Sequence, residues 1–400
     1  MERDLLRKLA VQNDTKLVLL VLDGLGGLPH PDTRRTELEQ ADIPHLDRLA
    51  AEGSCGLTIP VAWGVTPGSG PGHLALFGYD PLVHDVGRGV LEAVGIDFPV
   101  GPNDVCARGN FCTVDDQGLI SDRRAGRIPT EESSVLVERL RTVRLPGVEI
   151  FVEPVREHRF VLVLRGEGLH DELDGTDPNR EGAAPLPVRA LTPKARATAD
   201  LLNRFIEEAR GLLAGEKRAN MVLLRGFSRY PHLPSFRDDF KLRAAAIAVY
   251  PMYRGLARLC GFTSLPGGGA FADELQTLRD HWGEFDFFFV HYKKTDAAGE
   301  DGDFERKVHA IEELDAQLPQ LLDLKPDVLV VAGDHATPSV MAAHSWHPVP
   351  YLLHSRTARA DETEAFNEAQ CRKGCLGIIP AVESMSLMLA HAGRLTKYGA

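Results

Sequence analysis

The chain has 400 residues, 44% apolar and 26% charged, the composition of a soluble globular protein long enough for two domains. A formal net charge of -12 argues against a general nucleic-acid binder, which needs clustered Lys and Arg to neutralise phosphates, yet leaves room for a local arginine cluster that holds a small anion. The charged stretch Met1 to Ala10 does not read as a secretory signal, no apolar run approaches a membrane span, and the six cysteines lack disulfide or zinc-ribbon spacing, so reduced thiols and a cytoplasmic location are expected.

In chain order, the first element is Leu17–Leu22, a continuous apolar run without period-two alternation, which predicts a strand buried on both faces. From about Asp85 to Pro234 the pattern changes to shorter strands, more turns and more arginines. Residues 151–152 and 160–164 are strand-like, 174–187 is a loop rich in Gly, Pro and Asp, and 192–213 predicts one helix with a proline in its first turn. Residues 285–291 and Val328–Ala332 are again buried strands. Between them Phe304, Val308, Ile311, Leu314, Leu318 and Leu321 keep helical spacing behind a capping Asp303. Strand, helix and strand in that order imply a parallel sheet with a right-handed crossover. The expected architecture is an α/β core, 1–84 and 235–400, interrupted by a smaller inserted domain, 85–234, with a cleft between the two.

Asp23, Asp296 and Asp334 each follow one of these strands, and ligands of open parallel sheets bind outside the carboxyl ends of the strands. A single Asp there often caps a turn, but three converging carboxylates repel one another unless a cation is present. His335, His344 and His347 lie close by in sequence and move the expected metal from magnesium toward manganese or zinc. Ser69 sits in a glycine-rich segment, 66–73. Pro67 and Pro71 occupy the places where a serine-hydrolase elbow needs glycine, so metal activation is the better account of a nucleophilic Ser69. No P-loop occurs. Gly24-Leu25-Gly26 follows a strand as a dinucleotide fingerprint would, but Pro29 replaces its third glycine and Asp23 would repel a pyrophosphate. The run 122–127 holds Arg123, Arg124 and Arg127, whose guanidinium groups suit phosphate and carboxylate.

Nearly end to end, the chain resembles the archaeal-type branch of the cofactor-independent phosphoglycerate mutases, within the alkaline phosphatase superfamily. The resemblance is carried by Leu22-Asp23-Gly24, Pro67-Gly68-Ser69, the block His73 to Pro81, Gly109-Asn110-Phe111, Asp122 to Arg127 and Asp174-Gly175-Thr176-Asp177-Pro178. It continues through Leu223-Leu224-Arg225-Gly226, Lys294-Thr295-Asp296, Gly333-Asp334-His335 and His344. It implies an alkaline-phosphatase-like parallel-sheet core with helices on both faces and an inserted α+β domain that closes over the substrate. It also implies two divalent cations, manganese before zinc, cobalt or magnesium, and no bisphosphoglycerate. One cation would be held by Asp23, Ser69, Asp334 and His335, the other by Asp296, His344 and a third ligand, for which Glu300 stands where the family has histidine. Asn110, Arg123, Arg124, Arg127, Asp177 and Arg225 would line the substrate cleft.

The implied activity is the glycolytic and gluconeogenic interconversion of 3-phosphoglycerate and 2-phosphoglycerate through a phosphoserine at Ser69, on a small phosphorylated hydroxy acid and with no nucleic-acid or membrane partner. A metal-dependent phosphohydrolase on the same scaffold and a non-catalytic anion-binding homologue are the alternatives. Two further departures from the family, His347 for aspartate and Arg254 for lysine, fall near the proposed site.

Overall fold

The computed structural model describes residues 3–84 and 86–399; Asp85, where the inserted domain is expected to begin, lies outside them, as do Met1, Glu2 and Ala400. The chain divides into two compact units, Met1–Asp85 with Leu233–Ala400, and Val86–His232.

The first unit is built on an eight-stranded sheet in the order Thr263–Leu265, Ala244–Ile247, Phe287–Tyr292, Leu17–Leu22, Val328–Ala332, Val349–Ser355, Ser54–Ile59, Gly377–Pro380. Every pairing is parallel except the two made by Val349–Ser355. Leu17–Leu22 is buried along its whole length, as a central strand covered on both faces must be. Successive side chains point to opposite faces. Val18, Leu20 and Leu22 join Phe288, Val290, Leu329 and Val331 in one apolar cluster with Leu46 and Leu49 of the helix Pro44–Glu52 and Ile311, Leu314 and Leu318 of the helix Phe304–Leu322. On the opposite face Phe289 meets Phe77, and Phe287 meets Phe236 and Phe262. Helices therefore cover both faces.

The helix Phe304–Leu322 starts where the sequence places it, with Asp303 Oδ1 accepting from Arg306 N at 3.1 Å. The strand expected at 285–291 runs instead from Phe287 to Tyr292. Asp286 lies just ahead of its start, with its carboxylate taken by the backbone N–H and guanidinium of Arg243. The crossover also does not land beside its starting strand. Leu17–Leu22 lies between the two, with Leu17 level with both Phe287 and Val328. Three adjacent strands thus end together at one edge.

In the second unit the strand Asp104–Val114 pairs antiparallel with Arg159–Arg165 on one side and Met221–Arg229 on the other. Ile120–Asp122 and Glu149–Pro154 complete the sheet. Its core gathers Phe111, Phe160 and Leu162 with Val137 of the helix Thr130–Leu140 and Leu202 and Phe205 of the helix Arg196–Leu212. Short strands were the expectation here, but Asp104–Val114 has 11 residues and a register break between Cys106 and Arg108. The expected proline lies in a 3-10 turn, Pro193–Ala195, just ahead of its helix. Among the described residues, no helix is long and apolar enough to cross a membrane.

Candidate active site

The common strand edge collects the sequence-predicted aspartates. Asp23 follows Leu22, Asp334 and His335 come two and three residues after Ala332, and Asp296 lies in the first turn of the helix Lys294–Glu300, just past Tyr292. All four are buried. Ser69 opens the helix Ser69–Leu76 behind an extended Gly68. A Cβ at Gly72 would lie 2.1 Å from the Asp334 carbonyl oxygen, so only glycine lets this helix pack its backbone onto that loop. The packing brings Ser69 Oγ to 3.1 Å from His335 Nε2.

His335 Nε2 also lies 3.3 Å from Asp23 Oδ1 and 3.2 Å from Asp334 Oδ2. Both carboxylate oxygens are buried and have no hydrogen-bond partner among the described residues. On the other side of the ring, Nδ1 is 3.0 Å from Thr337 Oγ1, which donates its own hydrogen to Asp296 Oδ1 at 2.6 Å. Thr337 can therefore only accept from His335, so Nδ1 carries a proton, and in the neutral imidazole Nε2 presents a lone pair. His73 Nδ1, 2.8 Å from the Ser69 carbonyl, also lies 3.1 Å from Asp334 Oδ2, and beyond that shared donor and the Ser69 hydroxyl little is left to satisfy two carboxylate oxygens and an imidazole lone pair. Buried acceptors in that state are costly. A divalent cation would resolve the arrangement, and the residues present fit one.

Asp23, Asp334 and His335 place their ligand atoms within 4.8 Å of one another, and Asp296, His335 and His344 do the same. His344 Nδ1 donates to the Pro67 carbonyl at 3.0 Å, leaving Nε2 at 3.5 Å from both Asp296 Oδ1 and Glu300 Oε1. Burial opposes a charge on His344, but Glu300, the Pro67 carbonyl and Asp296 outweigh it and lift the imidazole to about 9. A cation would replace that proton. Glu300 belongs to neither three-residue group, and its side chain is 55% exposed. His347 is also outside both groups, its Nδ1 3.0 Å from Ser345 Oγ.

Several groups at this edge escape sequence reasoning. Lys293 Nζ donates to Asp23 Oδ2 at 2.9 Å and to Asp296 Oδ2. The Tyr253 hydroxyl also donates to Asp23 Oδ2, and His291 Nε2 lies 3.2 Å from it. Burial alone would raise the Asp23 carboxyl, but Lys293 and His291 hold it well below the usual range. These groups saturate Oδ2 and leave Oδ1 facing His335. The available signal was the spacing of Lys293 three residues before Asp296, which puts the two on one helical face.

In the second unit two of the predicted arginines meet Asp177. Arg123 grips that carboxylate as a fork, Nε to Oδ1 at 2.9 Å and Nη2 to Oδ2 at 2.7 Å, and Arg225 Nη1 lies 3.9 Å from Oδ2. A pocket of about 350 Å³ opens beside Asp177 and Arg225. Asp122 accepts from Arg124 N and Gly126 N, shaping a turn in which Ala125, Gly126 and Arg127 all have positive φ. Strand register sets Arg108 opposite Arg225 and Asn110 opposite Arg159, so the four share one sheet face. Arg108 and Arg159 were not anticipated. Asn110 is buried, with Oδ1 unpartnered among the described residues. Burial, then Arg159, Arg108, Arg124 and Arg127, push His158 down to about 4. Burial also lowers Arg108 to about 10, with Glu92 opposing and the neighbouring arginines adding. Arg108, Arg159 and Arg225 thus crowd like charge onto one sheet face, an arrangement suited to an anion.

The family model described as 2,3-bisphosphoglycerate-independent phosphoglycerate mutase matches residues 50–218. The chain is 50% identical to the probable 2,3-bisphosphoglycerate-independent phosphoglycerate mutase of Thermosipho melanesiensis over 400 residues, covering 100% of this chain and 99% of that one. Its fold is similar to that of the PH0037 protein of Pyrococcus horikoshii, with a TM-score of 0.84, 28% identity and coverage of 97% and 100% of the two chains. It is also similar to the cofactor-independent phosphoglycerate mutase of Thermoplasma acidophilum, with a TM-score of 0.72, 30% identity and coverage of 95% and 100%. With a full-length relative at this identity, the chain belongs to the family of 2,3-bisphosphoglycerate-independent phosphoglycerate mutases.

Proposed function

We propose that this protein interconverts 3-phosphoglycerate and 2-phosphoglycerate through a phosphoserine on Ser69, as a cytoplasmic enzyme of glycolysis and gluconeogenesis. The observation that carries the proposal is the convergence of Ser69 Oγ, His335 Nε2, Asp23 Oδ1 and Asp334 Oδ2 in one buried cluster. Asp23, Ser69, Asp334 and His335 would hold one divalent cation, and Asp296, His344 and Glu300 the other, with manganese the best match to a mixed carboxylate and imidazole set. Bound there, the cations would lower the pKa of the serine hydroxyl and offset the charge of the phosphoryl oxygens.

The chain's own groups do the rest. Ser69 Oγ gives up its proton and attacks phosphorus, the P–O bond to the glycerate oxygen breaks, and that oxygen takes up a proton to become a hydroxyl. Arginines of the second unit, among them Arg123, Arg124, Arg127 and Arg225 with Asn110, bind the glycerate carboxylate and hydroxyls so that the molecule reorients without leaving. Asp177 holds the Arg123 fork in place for this. The second glycerate hydroxyl then takes the phosphoryl group back from Ser69. The exchange closes on itself and requires no bisphosphoglycerate.

The test is a phosphorus NMR time course with 3-phosphoglycerate and Mn²⁺ and without bisphosphoglycerate. Growth of 2-phosphoglycerate to equilibrium supports the mutase. Release of inorganic phosphate alone replaces it with a metal-dependent phosphohydrolase.

A further inference from the structure

Lys307 lies in the first turn of the helix Phe304–Leu322 and is 0% exposed. Its helix neighbours on the buried face, Phe304, Val308 and Ile311, are apolar, so a leucine or methionine would serve packing alone. A buried ammonium persists only where protein groups replace its water. Here they do: Nζ donates to the Gly26 carbonyl at 3.1 Å and the Thr337 carbonyl at 2.8 Å, with Glu37 Oε1 3.8 Å away.

Those two carbonyls belong to different ligand loops. Gly26 lies on the segment leaving Asp23, and Thr337 on the segment carrying Asp334 and His335. The loops already touch, since Thr337 N donates to Gly26 O at 3.1 Å. Glu37, also 0% exposed, extends the clamp by accepting from Ser339 N at 2.9 Å and Ser339 Oγ at 2.6 Å. From Thr337 the connection continues through its hydroxyl to Asp296 and His335.

We infer that Lys307 is a positioning residue for the cation site, tying the loop after Asp23 to the loop after His335 and so fixing the separation of their ligand atoms. The inference rests on the cation reading of the site proposed above. Lys307 touches no ligand atom itself and works from behind both loops.

Lys307→Met tests it, with Mn²⁺ binding followed by electron paramagnetic resonance and turnover measured beside a thermal melt. The expected result, in folded protein, is a Kd for Mn²⁺ at least tenfold higher than wild type and a lower kcat with KM for 3-phosphoglycerate unchanged. A lower Tm with Mn²⁺ affinity and kcat unchanged makes Lys307 merely structural and overturns the inference. If the single variant does not fold, Lys307→Met with Glu37→Gln removes the stranded carboxylate charge. Weak Mn²⁺ binding in the folded double variant supports the clamp, and wild-type binding overturns it. Wild-type protein that takes up no Mn²⁺ overturns the cation reading itself, and the inference with it.

Discussion

Thr337 Oγ1 lies 3.0 Å from His335 Nδ1 while donating to Asp296, so one hydroxyl sets the tautomer of one candidate ligand and the orientation of another. Such outer partners are typically worth 10–100-fold in metal affinity. Thr337→Val keeps the shape and removes both contacts. A Mn²⁺ Kd raised by roughly that factor is expected by titration. Unchanged binding would mean that His335 is held by its surroundings alone.

Ser69→Ala removes the nucleophile and leaves the arginines of the second unit intact. The expected loss in kcat is at least about 10³-fold, as for other nucleophile deletions, with 3-phosphoglycerate binding still measurable by calorimetry. Phosphate label on the variant after incubation with substrate would rule out Ser69 as the phosphoryl acceptor.

Glu300 offers an oxygen 3.5 Å from His344 Nε2. Exchange for histidine should shift selectivity from Mn²⁺ toward Zn²⁺, because imidazole suits the softer ion. Competition between the two ions in wild type and Glu300→His reads this directly, and an identical preference would remove Glu300 from the ligand set.

A pH effect on stability is expected away from the site. Glu274, on the helix Phe271–Asp280, is 2% exposed with Oε1 unpartnered among the described residues, and burial pushes its carboxyl up from 4.5 to about 9. The folded chain then keeps a proton that the unfolded chain releases. Its contribution to stability is full below about 4.5 and falls as pH rises toward 9. Glu274→Gln should raise Tm at pH 8 by clearly more than at pH 5. A shift independent of pH would show that Glu274 does not titrate in this way.

Continuous apolar runs made the centre of the fold legible. Leu17–Leu22 and Val328–Ala332 are too uniformly apolar to be anything but covered strands, and the Asp303 cap with its periodic followers marks the helix start. The outer strands were not legible. Ala244–Ile247 is mostly alanine, Thr263–Leu265 has three residues, and Ser54–Ile59 mixes glycine and serine with apolar residues, so their strand character comes from the neighbours they pair with. The aspartates could be read because three of them follow apolar runs. Lys293 could not, since a lysine beside another lysine reads as a solvated face until the fold places it between Asp23 and Asp296. Arg108 and Arg159 were hidden for a related reason: only strand register aligns them with Arg225 and Asn110.

The one reversed strand of the large sheet has a consequence for how this site can change. Val349–Ser355 runs against Val328–Ala332, with Tyr351 level with Ala332, so residues 333–350 form a wide hairpin that leaves and re-enters at the same edge. His335 and His344 both ride on it. Asp334 to Ser339 are buried and held by Gly72, Lys307 and Glu37, so the stretch that can be recut without disturbing the strands beneath is the exposed 340–343, just ahead of His344. Redesign of the metal preference would begin with that exposed stretch, which carries His344 without carrying the core.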